Sequence, residues 1–219
     1  MGIITGGFRM KIPWMDMTLR EFQSALASSS PTPGGGTAAA IALGQAAALT
    51  IMVGDLTIGK EKWQSGWEIA NEAVALSIRL MTRAGNLADE DSDSFDAVMA
   101  SFKLAKGTDQ EKDIRRQAIR AATLGAAEVP FETAKLSLEL LKLLPDLAMF
   151  GNSNAVSDVG VAGLLASAAC KGAIFNVKIN LSSLPESMGA ELRQNTPAIL
   201  DECREVSRNL MKIVNDLTN

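Results

Sequence analysis

The sequence predicts an all-α single domain of about six helices, and three observations carry that prediction. No segment alternates apolar and polar residues with period two over a strand's length, and β-branched residues are sparse. Apolar residues instead recur three and four positions apart along most of the chain. The third observation is the stretch 31–60. It begins Pro31-Thr32-Pro33-Gly34-Gly35-Gly36 and then carries no charge until Asp55.

The elements follow in order. Residues 1–15 read as an N-terminal extension, with Met10 or Met15 as possible starts and no long apolar leader. Thr18-Leu19-Arg20-Glu21 is a capping box that opens a short helix to about residue 28. Pro31 and Pro33 stop any helix from running through them. The glycines then allow a tight turn with uncovered amides. Thr37 reads as the cap of the next helix, which ends near Gly59, with Lys60 suited to its C-terminal dipole. This helix is apolar nearly all round, so it belongs in a membrane or in the middle of a protein. Its Ala and Gly content and Gln45 favour the second, a buried central helix. Ala38, Ala42 and Ala46 recur at i+4, as do Ala40, Gly44 and Ala48, which lets neighbouring helices approach closely.

Residues 61–88 form a long amphipathic pattern, followed by the acidic run 89–93, which is either a break or a continuation into Phe95 and Phe102. A second capping box, Thr108 to Glu111, opens a helix to about residue 128. Pro130 kinks or restarts it, and Pro145 closes it. Ser157-Asp158 begins a second small-residue helix, the natural partner of the first, and an amphipathic helix over 186–217 ends the fold.

Composition narrows the function. The chain has 219 residues, 47% hydrophobic, with a net charge of −4 and no basic block, which argues against nucleic acid as a partner. Cys170 and Cys203 form no metal-binding spacing and fit a reducing cytoplasmic interior. There is no histidine and no tyrosine. A His-liganded zinc and a Ser-His-Asp triad are therefore excluded, and acid–base chemistry falls to Asp, Glu, Lys, Cys or water.

The residues also resemble a family. Phe22, Pro31, Pro33, Gly34, Gly35, Gly36, Met52, Val53, Gly59 and Lys60 are similar to the signature of the formimidoyltetrahydrofolate cyclodeaminase / methenyltetrahydrofolate cyclohydrolase family. That family includes the cyclodeaminase domain of formimidoyltransferase-cyclodeaminase. Later segments match in order: 91–95, Arg115-Arg116, Val129-Pro130, Gly151-Asn152, Ser157-Asp158 and 176–181. Ser94 and Ala105 depart from the pattern, where the family usually has Ala and Pro. The resemblance spans roughly residues 16–215. It implies a helical array, dimers or larger homo-oligomers, and a tetrahydrofolate derivative bound in clefts that subunits help form. It implies no metal, no membrane partner and no cofactor beyond the folate substrate. Nothing in the chain supplies the transferase domain of the larger family enzyme.

The implied activity is cyclodeamination of 5-formimidoyltetrahydrofolate to 5,10-methenyltetrahydrofolate with release of ammonia. The alternative is methenyltetrahydrofolate cyclohydrolase on the same scaffold. A third reading, of another class, is a helical folate-binding or assembly module without turnover. Both reactions work on one cationic one-carbon bridge and need a carboxylate near it. The candidates for catalysis are Asp158, Lys60 and Asp91. Each has a plainer reading: Asp158 and Lys60 as helix-end charges, Asp91 as part of a solvated acidic loop. Substrate contacts are expected from Pro33, Gly34, Gly35, Gly36, Asp55, Asn152 and Ser157. Gly34–Gly36 is the anion-binding candidate at a helix start. Arg115 and Arg116 are candidates for the glutamate tail, and Trp63 and Trp67 for an interface.

Overall fold

The computed structural model describes residues 12–218. Among them are six α-helices and no strand: α1 Leu19–Leu26, α2 Gly35–Thr57, α3 Trp67–Ser101, α4 Asp109–Phe150, α5 Val156–Ser182 and α6 Ala190–Thr218. The predicted fold class holds. Both capping boxes form, with Thr18 accepting from Glu21 N–H and Thr108 from Glu111 N–H, and each Glu returning to the cap.

Helices α2, α3, α4 and α5 make a ring in which each touches the next, and α6 lies across α4 and α5. α2 and α5 run antiparallel. Gly35 lies near Asn176 and Gly172 near Ala39 at one end. At the other end Asn152 donates its N–H to Thr57 Oγ1 (3.0 Å) and its amide to the Leu56 carbonyl (3.0 Å). The predicted small-residue spacing holds in full on α5, where Ala162, Ala166 and Cys170 are buried, and in part on α2, where Ala40, Gly44 and Ala46 are buried but Ala38, Ala42 and Ala48 are only half-buried. Ala40, Ala46, Ala47, Ala162, Ala166 and Ala169 are fully buried between close helices. By length and composition α2 and the segment Ser153–Ser182 could each cross a membrane, but half of each apolar window is buried within this one chain.

Several boundaries differ from expectation, each for a local reason. The acidic run is continuous helix because its acids have separate partners. Asp89 accepts from Trp14 N–H, Glu90 pairs with Arg83, and Asp91 accepts from Thr37. Arg83 also grips Glu132 on α4 through two bonds of 2.7 Å, which holds the Glu132 carboxyl below the usual range and ties α3 to α4. α4 runs through both Pro130 and Pro145 to Phe150, and packing of both prolines in the core sustains it. Trp67 proves to be a helix stop, donating its indole N–H to the carbonyls of Thr57 and Lys60 at the end of α2.

α2 is buried on its inner side only. Met52 (38% exposed) and Leu56 (43%) on α2, beside Met81 of α3, and Leu164 (55%), Phe175 (64%) and Ile179 (67%) on α5 leave apolar side chains open along both helices. Four helices in a ring cover about half of each member, so an all-round apolar helix keeps one uncovered stripe. At the N-terminus, Trp14 falls within the stretch read as an extension, yet its indole is buried edge-on against Phe22, the ring centroids 6.2 Å apart. Residues 1–11 of that stretch lie outside the described residues.

Candidate functional site

A cavity of about 420 Å³ opens where the α2 start meets α3, α4 and the end of α5. Its size suits a bicyclic ligand with part of a tail. Gly34, Gly35 and Gly36 form one wall, and Phe95, Val98, Phe102, Ile119 and Leu184 supply apolar surface. Asn176, Asn180, Ser183 and Arg120 add polar groups. Asn176 and Asn180 each donate an N–H to a helix carbonyl, Gly172 and Ala126, so their amide oxygens remain as acceptors.

Asp91 is the single acid in this wall. It sits over the first turn of α2, where a Cβ on Gly36 would overlap its carboxylate. The close approach is thus possible only because residue 36 has no side chain. Gly34 and Gly35 have room for one, at ordinary contact distances of 3.5 and 3.8 Å. The anion at this helix start is the protein's own Asp91, placed there by α3. Thr37 does not cap the helix; Gly34 does, and Thr37 Oγ1 donates to Asp91 Oδ2 at 2.9 Å. Burial pushes the Asp91 carboxyl above the ordinary Asp range, and its bonds with Thr37 pull partly back. A carboxyl raised in this way is a better proton acceptor than a solvated one when ionised.

The predicted site residues separate into two groups. Pro33, Gly34, Gly35, Gly36 and Asp91 come together at the start of α2. Asp55, Lys60, Asn152, Ser157 and Asp158 lie at its far end, beside the start of α5. The 23 residues of α2 place these groups about 34 Å apart in one chain. So one chain does not unite both ends of the helix in a single cleft, as the expectation of a common site required. Asn152 is buried and bonded into the turn between α2 and α5, with its amide oxygen accepting from Asn154 N–H. Arg115 donates to the Phe102 carbonyl and lies over the Phe102 ring, and Arg116 pairs with Asp113. Neither reaches the cavity wall, whereas Arg120, one turn on, does.

Sequence reasoning did not single out Arg120, Asn180, or Thr37 as a partner of Asp91. Asn176 and Asn180 had left a signal, two amides four apart within the matched segment 176–181. Arg120 left none, since it continues a run of exposed cations.

Comparison with known proteins fits this geometry. The family model described as formiminotransferase-cyclodeaminase matches residues 18–215. A methenyltetrahydrofolate cyclohydrolase from Methylorubrum extorquens is 36% identical over 203 residues, covering 92% of this chain and 98% of that protein. The formimidoyltransferase-cyclodeaminase of Rattus norvegicus is 30% identical over 87% of this chain but only 35% of its own length, so this chain spans about a third of that enzyme. The crystal structure of a formiminotetrahydrofolate cyclodeaminase from Thermotoga maritima superposes with a TM-score of 0.80 at 25% identity, covering 94% of this chain and 99% of that one. With the family model matching residues 18–215 and a 36% identical relative matching nearly end to end, the chain belongs to the formiminotransferase-cyclodeaminase family.

Proposed function

We propose that this chain is an enzyme acting on the one-carbon bridge of a tetrahydrofolate derivative, and that its reaction is hydrolysis of 5,10-methenyltetrahydrofolate. The observation that carries this reading is Asp91, a half-buried carboxyl standing alone in an apolar cavity beside three glycines. The methenyl bridge is a delocalised cation, so the carboxylate stabilises it and accepts a proton from the water that attacks the bridge carbon. The bond from the bridge carbon to N5 then opens as the added hydroxyl gives up its proton and N5 takes one, leaving a formyl group on N10. Preference for this reaction comes from the 36% identical cyclohydrolase, which matches along nearly its whole length. Cyclodeamination is the second reading, supported by the Thermotoga maritima cyclodeaminase. There N10 attacks the formimidoyl carbon, Asp91 takes the N10 proton and passes it to the departing nitrogen, and ammonia leaves as the cationic bridge forms. Neither route requires a metal or a cofactor beyond the folate. Assays of both reactions on one preparation separate them: loss of methenyl absorbance without ammonia release supports the first. Binding of folate with neither turnover would make the chain a binding module and overturn both.

Phe95 and Phe102 wall the ring system, Asn176 and Asn180 offer acceptors to the pterin's N–H edge, and Arg120 meets the glutamate carboxylate. Arg120 makes no ion pair among the described residues, which leaves its charge available. Arg120→Ala is expected to raise KM about tenfold with kcat nearly unchanged, as loss of one charge-assisted bond to a non-reacting group should. Steady-state kinetics with the folate substrate checks this.

The working unit we infer is a homodimer closed over the apolar face of α2 and α5, in the cytoplasm. Association there would cover exposed apolar side chains on both helices, such as Met52, Leu164 and Phe175. A two-fold axis crossing α2 at right angles near Gln45 would lay the far end of one α2 beside the start of the other. Asp158, Lys60 and Asp55 of one copy would then complete the cavity holding Asp91 of the other. This arrangement accounts for signature residues that lie about 34 Å apart in one chain.

A further inference from the structure

Asp91 is held by a hydrogen-bond chain that starts 77 positions earlier, at Trp14. The Trp14 indole N–H donates to Ser92 Oγ at 3.0 Å, Ser92 Oγ lies 3.2 Å from Thr37 Oγ1, and Thr37 Oγ1 donates to Asp91 Oδ2 at 2.9 Å. The hydroxyls of Ser92 and Thr37 are fully buried, so each needs its partners here. An indole N–H can only donate. It therefore occupies a lone pair of Ser92 and turns the Ser92 proton toward Thr37, the one described acceptor in reach. Thr37 then has its own proton left for Asp91. A donor-only group at one end and an acceptor-only carboxylate at the other fix the direction of every bond in it. Trp14 is itself pinned, by its backbone N–H on Asp89 Oδ1 (3.0 Å) and by its edge contact with Phe22.

We propose that Trp14 is a positioning residue for the reaction: its indole N–H orients the Ser92–Thr37 relay so that Asp91 Oδ2 always accepts, leaving Oδ1 to take the substrate's proton. This role rests on the reading of Asp91 as the base. The charges around Asp91 are few. α2 brings none before Asp55, α3 turns Asp89 to Trp14 and Glu90 to Arg83 and carries exposed Asp93, α4 brings Arg120 across the cavity, and α5 puts no charge in the wall. Thr37 is thus the donor described on the carboxylate, through its hydroxyl and its backbone N–H, and only the hydroxyl belongs to the relay. A hydrogen bond to the charged form favours that form, so disordering the relay raises the pH at which Asp91 loses its proton.

Trp14→Phe keeps a ring on Phe22 and removes the N–H. The pH–rate profile of methenyltetrahydrofolate hydrolysis should keep its plateau and KM, while its acid limb moves up by about one pH unit, a tenfold loss of rate below that limb. Ser92→Ala should do the same, and the double variant no more. It carries the test alone if Trp14→Phe does not fold. Carbon NMR of Asp-labelled protein, with Asp91→Asn assigning the signal, reads the same upward shift without any turnover. Wild-type Asp91 titration in folded Trp14→Phe and Ser92→Ala, with Asp91→Asn inactive, overturns the relay alone. Full turnover in Asp91→Asn overturns the base and this role with it.

Discussion

Asp91→Asn is expected to lower kcat for methenyl hydrolysis about a thousandfold, the upper part of the range for removing a general base. The expected signature is lost activity in a protein that is no less stable. Asparagine keeps an oxygen for the Thr37 hydroxyl and a similar shape over Gly36, so the packing at the start of α2 survives. It removes a carboxyl whose folded pKa lies above its unfolded value because of burial. The linkage sign follows. Between the unfolded and folded values the native state binds more protons, so this group lowers stability as pH rises through that window. At neutral pH the Asn variant escapes that cost. Its thermal midpoint should equal or exceed that of the wild type, and should exceed it more clearly above the window than below it. Thermal unfolding at several pH values alongside the kinetic assay checks both halves. An Asn variant with wild-type kcat removes Asp91 from the chemistry.

Gly36→Ala should be nearly as damaging to activity, by a different route. The added methyl would occupy the position of the Asp91 carboxylate, and something must move. The α2 backbone is held from behind by α3 and α5, so the carboxylate is what gives way. Loss of its seat should cost 10²-fold or more in kcat, about what an ångström of misplacement costs. Strain should add about 1–3 kcal/mol of destabilisation, as overpacking does. Gly34→Ala is the internal control. Its Cβ would meet only the Pro31 carbonyl at 3.5 Å, ordinary contact, so the fold and the Asp91 seat should persist. Kinetics and denaturant titration of the pair test whether one glycine of the three is placed for Asp91. Equal effects at both positions would point instead to the loop as a whole.

Most of the fold was legible because its causes are local. Capping boxes at Thr18 and Thr108, the small-residue spacing of α2 and α5, and the helical period of α6 all sit within a few residues of what they determine. The continuity of α3 through residues 89–93 was not legible. It depends on Thr37 and Trp14, 54 and 75 positions from the acids they meet, and on Arg83, two turns earlier and itself tied to Glu132, and an acidic run without them would be a solvated break. Passage of α4 through Pro130 likewise depends on tertiary packing overriding propensity. At the site, the glycines and Asp91 were found through their motif, but the fact that Gly36 serves Asp91 required the crossing of α2 and α3. The 34 Å gap between the two residue groups follows from helix length alone.

The most direct measurement of a shared cleft is complementation between two inactive variants. Asp91→Asn and Asp158→Asn are each expected to be inactive as homodimers. Unfolded together and refolded, or co-expressed, they form mixed dimers in which one cavity carries both substitutions and the other carries neither. Random pairing then restores about a quarter of the wild-type sites. Recovery near that level is the predicted result. A mixture as inactive as its components, or an Asp158→Asn homodimer with full activity, would contradict the account.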